Sequence, residues 1–283
     1  MAPPLNLLVC VDELSNQFVV RTVGGMRRAL EGLGWEVEAR AFRGMEMPER
    51  MAVLKREVMS GRHAAFAFSH LYLDDAQALV LKSTGAPLGY LGGMLEGVDW
   101  VVDDGNEGAF QAAVHLAELG HQRVALLSGD PQIVETRLRE AGFQRGLRSK
   151  GLKPDPELMV RLKDYEAEDG LEGALALFRG PKRPTAILAA AGDLVAQGVY
   201  AAAAKAGLRI PQDLSVVGYD DLPLAAGLHP PLSTVKQPLE VMAARLATEL
   251  VAAAEEGGSH NPAQAMVHPE LIVRQSTAEP RSA

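Results

Sequence analysis

Seven side chains in this sequence have the chemistry to grip a small polar molecule: Asn16, Phe18, His70, Asp103, Arg139, Asp193 and Asp220. The six polar ones fall at or just beyond the carboxyl ends of expected strands, or near the start of the helix that follows. A guanidinium is a rigid fork of donors that suits two adjacent hydroxyls or a carboxylate. A carboxylate accepts hydrogen bonds from a pair of hydroxyls where water is excluded. Phe18 can stack on an apolar ring face, or begin a helix as a core residue.

Each candidate also has a plainer role. Asn16 can shape a turn, and His70 can be an ordinary loop histidine. Asp193 stands before a helix, where capping is the default, and Asp221 can bond its own backbone in a turn. Asp103 and Asp104 lie where hinge and capping roles compete with ligand contact. Arg137 should point away from Arg139 on their shared helix, Trp100 should pack, and His121, just after Gly120, should be structural.

Motifs that would signal catalysis are missing. The seven histidines show no HExxH spacing, and a single cysteine, Cys10, cannot build a thiolate zinc site. There is no GxxxxGK[ST], no GxGxxG after a strand and no GxSxG elbow. The expectation is a binding protein with no catalytic residues, metal or cofactor.

The elements that must position these side chains follow from periodicity. Short β-rich apolar runs alternate with longer segments of helical spacing, as in parallel strands joined by crossover helices. Strands are expected at 5–11, 35–42, 64–69, 86–92 and 99–103, with helices near 18–33, 48–60 and 74–84. A second series has helices near 106–119, 135–149, 167–178 and 194–206, and strands at 123–129, 158–162, 185–190 and 214–219. Asn106 is suited to capping the first of these helices and Gly120 to ending it. Beyond them, 230–238 reads as extended, 239–255 as a helix and 267–276 as one last strand. The fold class is α/β, two doubly wound parallel-sheet lobes. The expected lobes are 5–103 plus 237–265 and 104–236 plus 266–277, with more than one crossing between them forming a hinge.

Length and composition agree with two lobes. The 283 residues would fill two ordinary domains, and 47% apolar against 23% charged residues supplies sizeable cores. No apolar run approaches the roughly 20 residues needed to span a bilayer. The opening MAPPLNLLVCV lacks the basic region of a secretory signal, and the lone Cys10 suits a reducing compartment, so a cytoplasmic location is expected. A net charge of −8 is wrong for holding DNA unaided, because phosphate contacts draw on Lys and Arg.

The ordered motifs NEGAFQAAVHLAELGHQRVALLSGD (106–130), TRLREAGFQRGL (136–147) and RPTAILAAAGDLVAQGVYAAAAKAGLRIPQDLSVVGYDDLPLAAGLHPPLSTVKQP (183–238) resemble the LacI/GalR family and the related periplasmic sugar-binding fold. The resemblance runs from Leu5 to Thr277. DELSNQFV (12–19) is similar to the family's first strand-loop-helix turn, departing at Gln17 and Val19. The resemblance implies a cleft between lobes, with Arg139 of the Arg-x-x-Gly-Phe pattern and Asp220 as ligand contacts. Many members carry Asn where this chain has Gly192, which removes one side-chain contact common in sugar-binding members. The resemblance also implies a homodimer, a small sugar-like effector that biases the lobes' relative angle, and operator DNA reached only through a helix-turn-helix headpiece and hinge helix. Neither precedes Leu5 here. Two other classes share the fold: a transport or chemoreceptor sugar-binding protein, which a leader peptide would favour, and an enzyme, which would need a nucleophile or base constellation.

Overall fold

The computed structural model describes residues 5–14, 17–69, 71, 73–257 and 260–281. In chain order the elements are β1 (Leu5–Val11), α1 (Gln17–Leu30), β2 (Trp35–Ala41), α2 (Met47–Met59), β3 (Ala65–Ser69), α3 (Asp75–Lys82), β4 (Leu88–Leu91) and β5 (Asp99–Asp103). There follow α4 (Gly105–Glu118), β6 (Val124–Ser128), α5 (Val134–Ser149), β7 (Met159–Arg161), α6 (Ala167–Arg179), β8 (Ala186–Ala189), α7 (Asp193–Lys205) and β9 (Ser215–Tyr219). The chain ends with α8 (Pro223–Gly227), β10 (Ser233–Lys236), α9 (Leu239–Glu256), β11 (Gln264–Val267) and β12 (Glu270–Ile272).

These elements form two compact units, Met1–Asp103 with Pro238–Val267, and Asp104–Gln237 with His268–Ala283. The chain therefore passes between units at 103/104, 237/238 and 267/268. The first unit holds a sheet in the order β11-β5-β4-β3-β1-β2, the second a sheet in the order β12-β10-β9-β8-β6-β7. Every pairing is parallel except β10 with β12, which is antiparallel.

A parallel strand covered by helices on both faces has no wet side, which is why β1 is apolar and buried at every position from residue 7 to residue 11. Its Leu7, Val9 and Val11 join a core with residues of α1 and α9, while Leu8 and Cys10 join another with residues of α2 and α3. In the second unit the faces divide the same way, with α6 and α7 over one and α4 and α5 over the other. Glycine lets the helices of the second unit approach closely. A Cβ at Gly142 of α5 would lie 2.0 Å from the Asn106 carbonyl oxygen, so α5 packs against the first turn of α4 with no room for a side chain. Gly105 likewise leaves space for Arg139, whose Cγ would be 3.1 Å from a Cβ there.

Two local expectations need correcting. The cap of α4 is Asp104, whose side chain accepts from the Glu107 amide at 3.0 Å; the helix starts at Gly105, so Asn106 is already inside its first turn. The single strand expected over 267–276 is two strands in different sheets: β11 runs parallel to β5 and β12 antiparallel to β10. His268-Pro269 separates them, and proline cannot donate to a ladder.

Candidate functional site

In the second unit the carboxyl ends of β6, β8, β9 and β10 lie on one edge of the sheet, and three of the sequence candidates are there. Arg139 sits in the second turn of α5, buried at 9% exposure. Its Cζ is 3.7 Å from the centre of the Tyr219 ring, and its Nη1 donates to the Ala190 carbonyl at 2.8 Å. The stack and the carbonyl together fix the plane of the guanidinium.

The next residue on α5 reinforces the helix. Glu140 accepts from the Ser128 hydroxyl at 2.7 Å and from both arms of Arg161 at 2.9 Å, tying α5 to the ends of β6 and β7. The Arg161 fork holds the Glu140 carboxyl below its usual range, against the opposing effect of burial. Arg137 instead braces the preceding loop, donating to the carbonyls of Pro131 at 2.9 Å and Gln132 at 2.8 Å.

Asp220 directly follows β9 with φ 104°, and Asp221 has φ 52°. Consecutive non-glycine residues in positive-φ conformations persist only where their surroundings hold them. Here the Asp220 amide donates to Val235 at 2.7 Å, and Gln237 Nε2 donates to the Asp220 carboxylate. Arg274 pairs with Asp221 at 2.6 Å. Gly192, at φ 130°, supplies what only glycine offers: a Cβ there would come within 2.9 Å of Asp220 Oδ2.

Asp193 is fully buried. It does not cap α7, whose N-cap is Gly192 with no side-chain cap bond. The positive-φ turn aims its carboxylate elsewhere: Oδ1 accepts from Thr234 Oγ1 at 2.6 Å and Oδ2 from the Leu222 amide at 2.7 Å. It thus pins the strained turn to both α7 and β10. Burial, and then the neighbouring Asp220 charge, push its pKa well above the carboxylate range.

In the first unit Phe18 is 7% exposed and belongs to the core that includes residues of β1 and α9. Asp103, the last residue of β5, is 1% exposed. Asn16 and His70 lie outside the described residues. Trp100 packs against the core that includes residues of α2 and α3. His121 is buried at the opposite, amino-terminal edge of the second sheet, within 3.0 Å of Thr185, Ser215 and the Ala278 carbonyl.

Sequence reasoning passed over three residues at this edge. Tyr165, 36% exposed, accepts from the Asp130 amide at 3.3 Å and lies against Gly129. It follows a strand just as the chosen candidates do, so the same criterion would have found it. Tyr219 was read only as the end of a strand. Gln237, 3% exposed, sits in an extended stretch with nothing local to mark it. Among the described residues no group of three or more His, Cys, Asp or Glu side chains is placed to hold a metal, and no helix is long and apolar enough to cross a membrane.

The arrangement offers a planar cation over an aromatic ring, a strained carboxylate and an exposed tyrosine, which together suit hydrogen bonding to a compact polar molecule. Comparison with known proteins gives a family to set beside it. A model of the periplasmic binding protein-like domain matches residues 113–277. The HTH-type transcriptional repressor PurR of Escherichia coli O139:H28 is 34% identical over 185 residues, 64% of this chain and 52% of the relative. PurR of Shigella boydii serotype 18 matches to the same extent, so the chain spans about half the length of these curated relatives. Among solved structures, a LacI family transcriptional regulator from Mycobacterium smegmatis is 28% identical with a TM-score of 0.86, covering 97% of this chain and 100% of its own. The transcriptional regulator CelR in complex with cellobiose is 26% identical with a TM-score of 0.86, covering 97% and 86%.

Proposed function

Since the chain belongs to the periplasmic binding protein-like domain family, as the regulatory core of a LacI-family transcriptional regulator, we propose that it senses a small sugar or sugar-like metabolite. The carboxyl-end edge of the second unit is the proposed grip. Arg139 donates to adjacent hydroxyls, Asp220 accepts from others, and Tyr165 offers an aromatic face. The observation that carries this reading is the preorganised pair, the Arg139 guanidinium 3.7 Å from the centre of the Tyr219 ring and the next residue, Asp220, held at φ 104°. CelR, bound to cellobiose, supports the sugar-like class.

An effector regulates only if it prefers one arrangement of the two units over another. Operator DNA is contacted through a separate headpiece, since a core of net charge −8 is poorly suited to phosphates. The regulator works in the cytoplasm as a homodimer. Leu79 and Val80 on α3, 66% and 43% exposed, are apolar surface that such an interface would cover.

Calorimetric titration against cellobiose, other sugars and nucleosides tests the grip. Arg139→Ala and Asp220→Asn should each weaken the best hit by about tenfold or more, the loss of one charge-assisted contact. Unchanged affinity in both variants would overturn the assignment.

A further inference from the structure

The bond between Gln237 and Asp220 joins the proposed ligand residue to the place where the chain leaves the second unit. We propose that Gln237 is the positioning residue of the Asp220 carboxylate and that, through it, whatever engages Asp220 is felt at the first turn of α9. The regulatory meaning rests on Asp220 being a ligand contact, as proposed above; the physical link stands on its own geometry.

That geometry is short. Gln237 is the last residue of its segment of the second unit, and Pro238 is the first of the returning segment of the first. Gln237 is 3% exposed and spends its side-chain amide on Asp220. Two residues earlier, Val235 accepts the Asp220 main-chain amide at 2.7 Å, so side chain and backbone of Asp220 are both tied to one three-residue stretch. Pro238 is the N-cap of α9, and its carbonyl accepts from the Met242 amide at 3.0 Å. Proline's ring removes one degree of backbone freedom at this junction. Leu239 and Met242 are both fully buried in the first unit's core. One hydrogen bond and one peptide bond therefore separate the Asp220 carboxylate from Pro238, the N-cap of an 18-residue helix packed in the other unit.

The Asp220 turn has little slack with which to absorb a disturbance. Asp193 holds Leu222, Arg274 holds Asp221, and both Asp220 and Asp221 are in positive-φ conformations. A ligand that draws the carboxylate toward itself must stretch or re-aim the Gln237 bond, because the other anchors of the turn are fixed.

The test needs no ligand, so its result is independent of the binding panel. Amide hydrogen exchange is followed in the full chain for wild type, Gln237→Leu, Asp220→Gly, the double variant and Asp220→Asn. Glycine is chosen at 220 because it accepts φ 104° without strain. Gln237→Leu and Asp220→Gly should each speed exchange at Met242 and Ala243 by about five- to tenfold, the effect of losing the hydrogen bond the two residues share. Amides of β1 and β3 should keep their wild-type rates. The double variant should exceed neither single one, and Asp220→Asn, whose Oδ1 still accepts, should match wild type. The proposal is overturned if Asp220→Gly leaves Met242 and Ala243 within about twofold of wild type, if the two effects multiply, or if β1 and β3 accelerate equally. Asp220→Asn alone accelerating α9 would likewise overturn it, by showing that charge and not the hydrogen bond matters.

Discussion

Replacing Asp193 with alanine should cost the second unit about 2–4 kcal/mol. The Leu222 amide and the Thr234 hydroxyl both lose their acceptor, at 2.7 and 2.6 Å, and neither has water to replace it, since Thr234 is 0% and Leu222 6% exposed. Each orphaned donor costs about 1–3 kcal/mol. Removing a buried carboxylate beside Asp220 gives some of this back, which keeps the net below the sum. Both tryptophans, Trp35 and Trp100, belong to the first unit, so their fluorescence would follow the wrong transition. Native-state hydrogen exchange at Leu188 and Val217, both fully buried, reads the second unit instead. A loss below about 1 kcal/mol would refute the idea that Asp193 holds this turn together. Its titration adds a sign. Burial raises the folded pKa well above 3.8, so the favourable contribution is fully present below 3.8 and is lost as pH rises through the folded value. Asp193→Asn lacks that titration, and wild type should therefore lose stability relative to it as pH rises.

Gly198→Ala should destabilise the second unit by about 2–3 kcal/mol, because the new Cβ would lie 1.9 Å from the Ala167 carbonyl oxygen; a loss under about 1 kcal/mol on the same exchange assay would show that α6 and α7 part freely. Glu140→Gln should cost only about 1 kcal/mol, since Arg161 is 57% exposed. The Glu140 pKa is depressed, so its contribution is present above 4.5 and lost as pH falls through the folded value; E140Q should flatten the acid limb of stability, and an unchanged limb would contradict the pairing. His260 is raised above 6.5 chiefly by its hydrogen bond to Asp99, so its contribution is full below 6.5 and lost as pH rises through the folded value. Trp100 neighbours Asp99, so denaturation of the first unit followed by tryptophan fluorescence should show this loss in wild type and not in His260→Gln.

Local pattern carried the fold where burial is two-sided. β1 and β9 read as strands because their runs LLVCV and VVGY carry no charged or amide side chain, and both are strands with helices over each face. Local pattern failed where partners are distant. VHPELIV looks like one strand, and only the pairing of Val267 with Asp103 and of Leu271 with Val235 divides it between two sheets. Asp193 stands where a cap would stand, yet its partners are 29 and 41 residues away, and Gly192's conformation, not its spacing, aims it at them. Phe18 has the same ambiguity. An aromatic opening a helix serves a ligand or a core equally well by sequence, and it lies in the core because α9 returns from residue 239 to cover α1. Gln237 had no signal at all, because its meaning comes from the residue it touches.

The proposed grip on an effector is tested most directly by a crystal structure of the chain with the tightest-binding sugar or nucleoside from the titration panel. Polar atoms of that molecule should lie within about 3 Å of the Arg139 guanidinium and the Asp220 carboxylate. Density for the molecule away from both side chains would contradict the central claim.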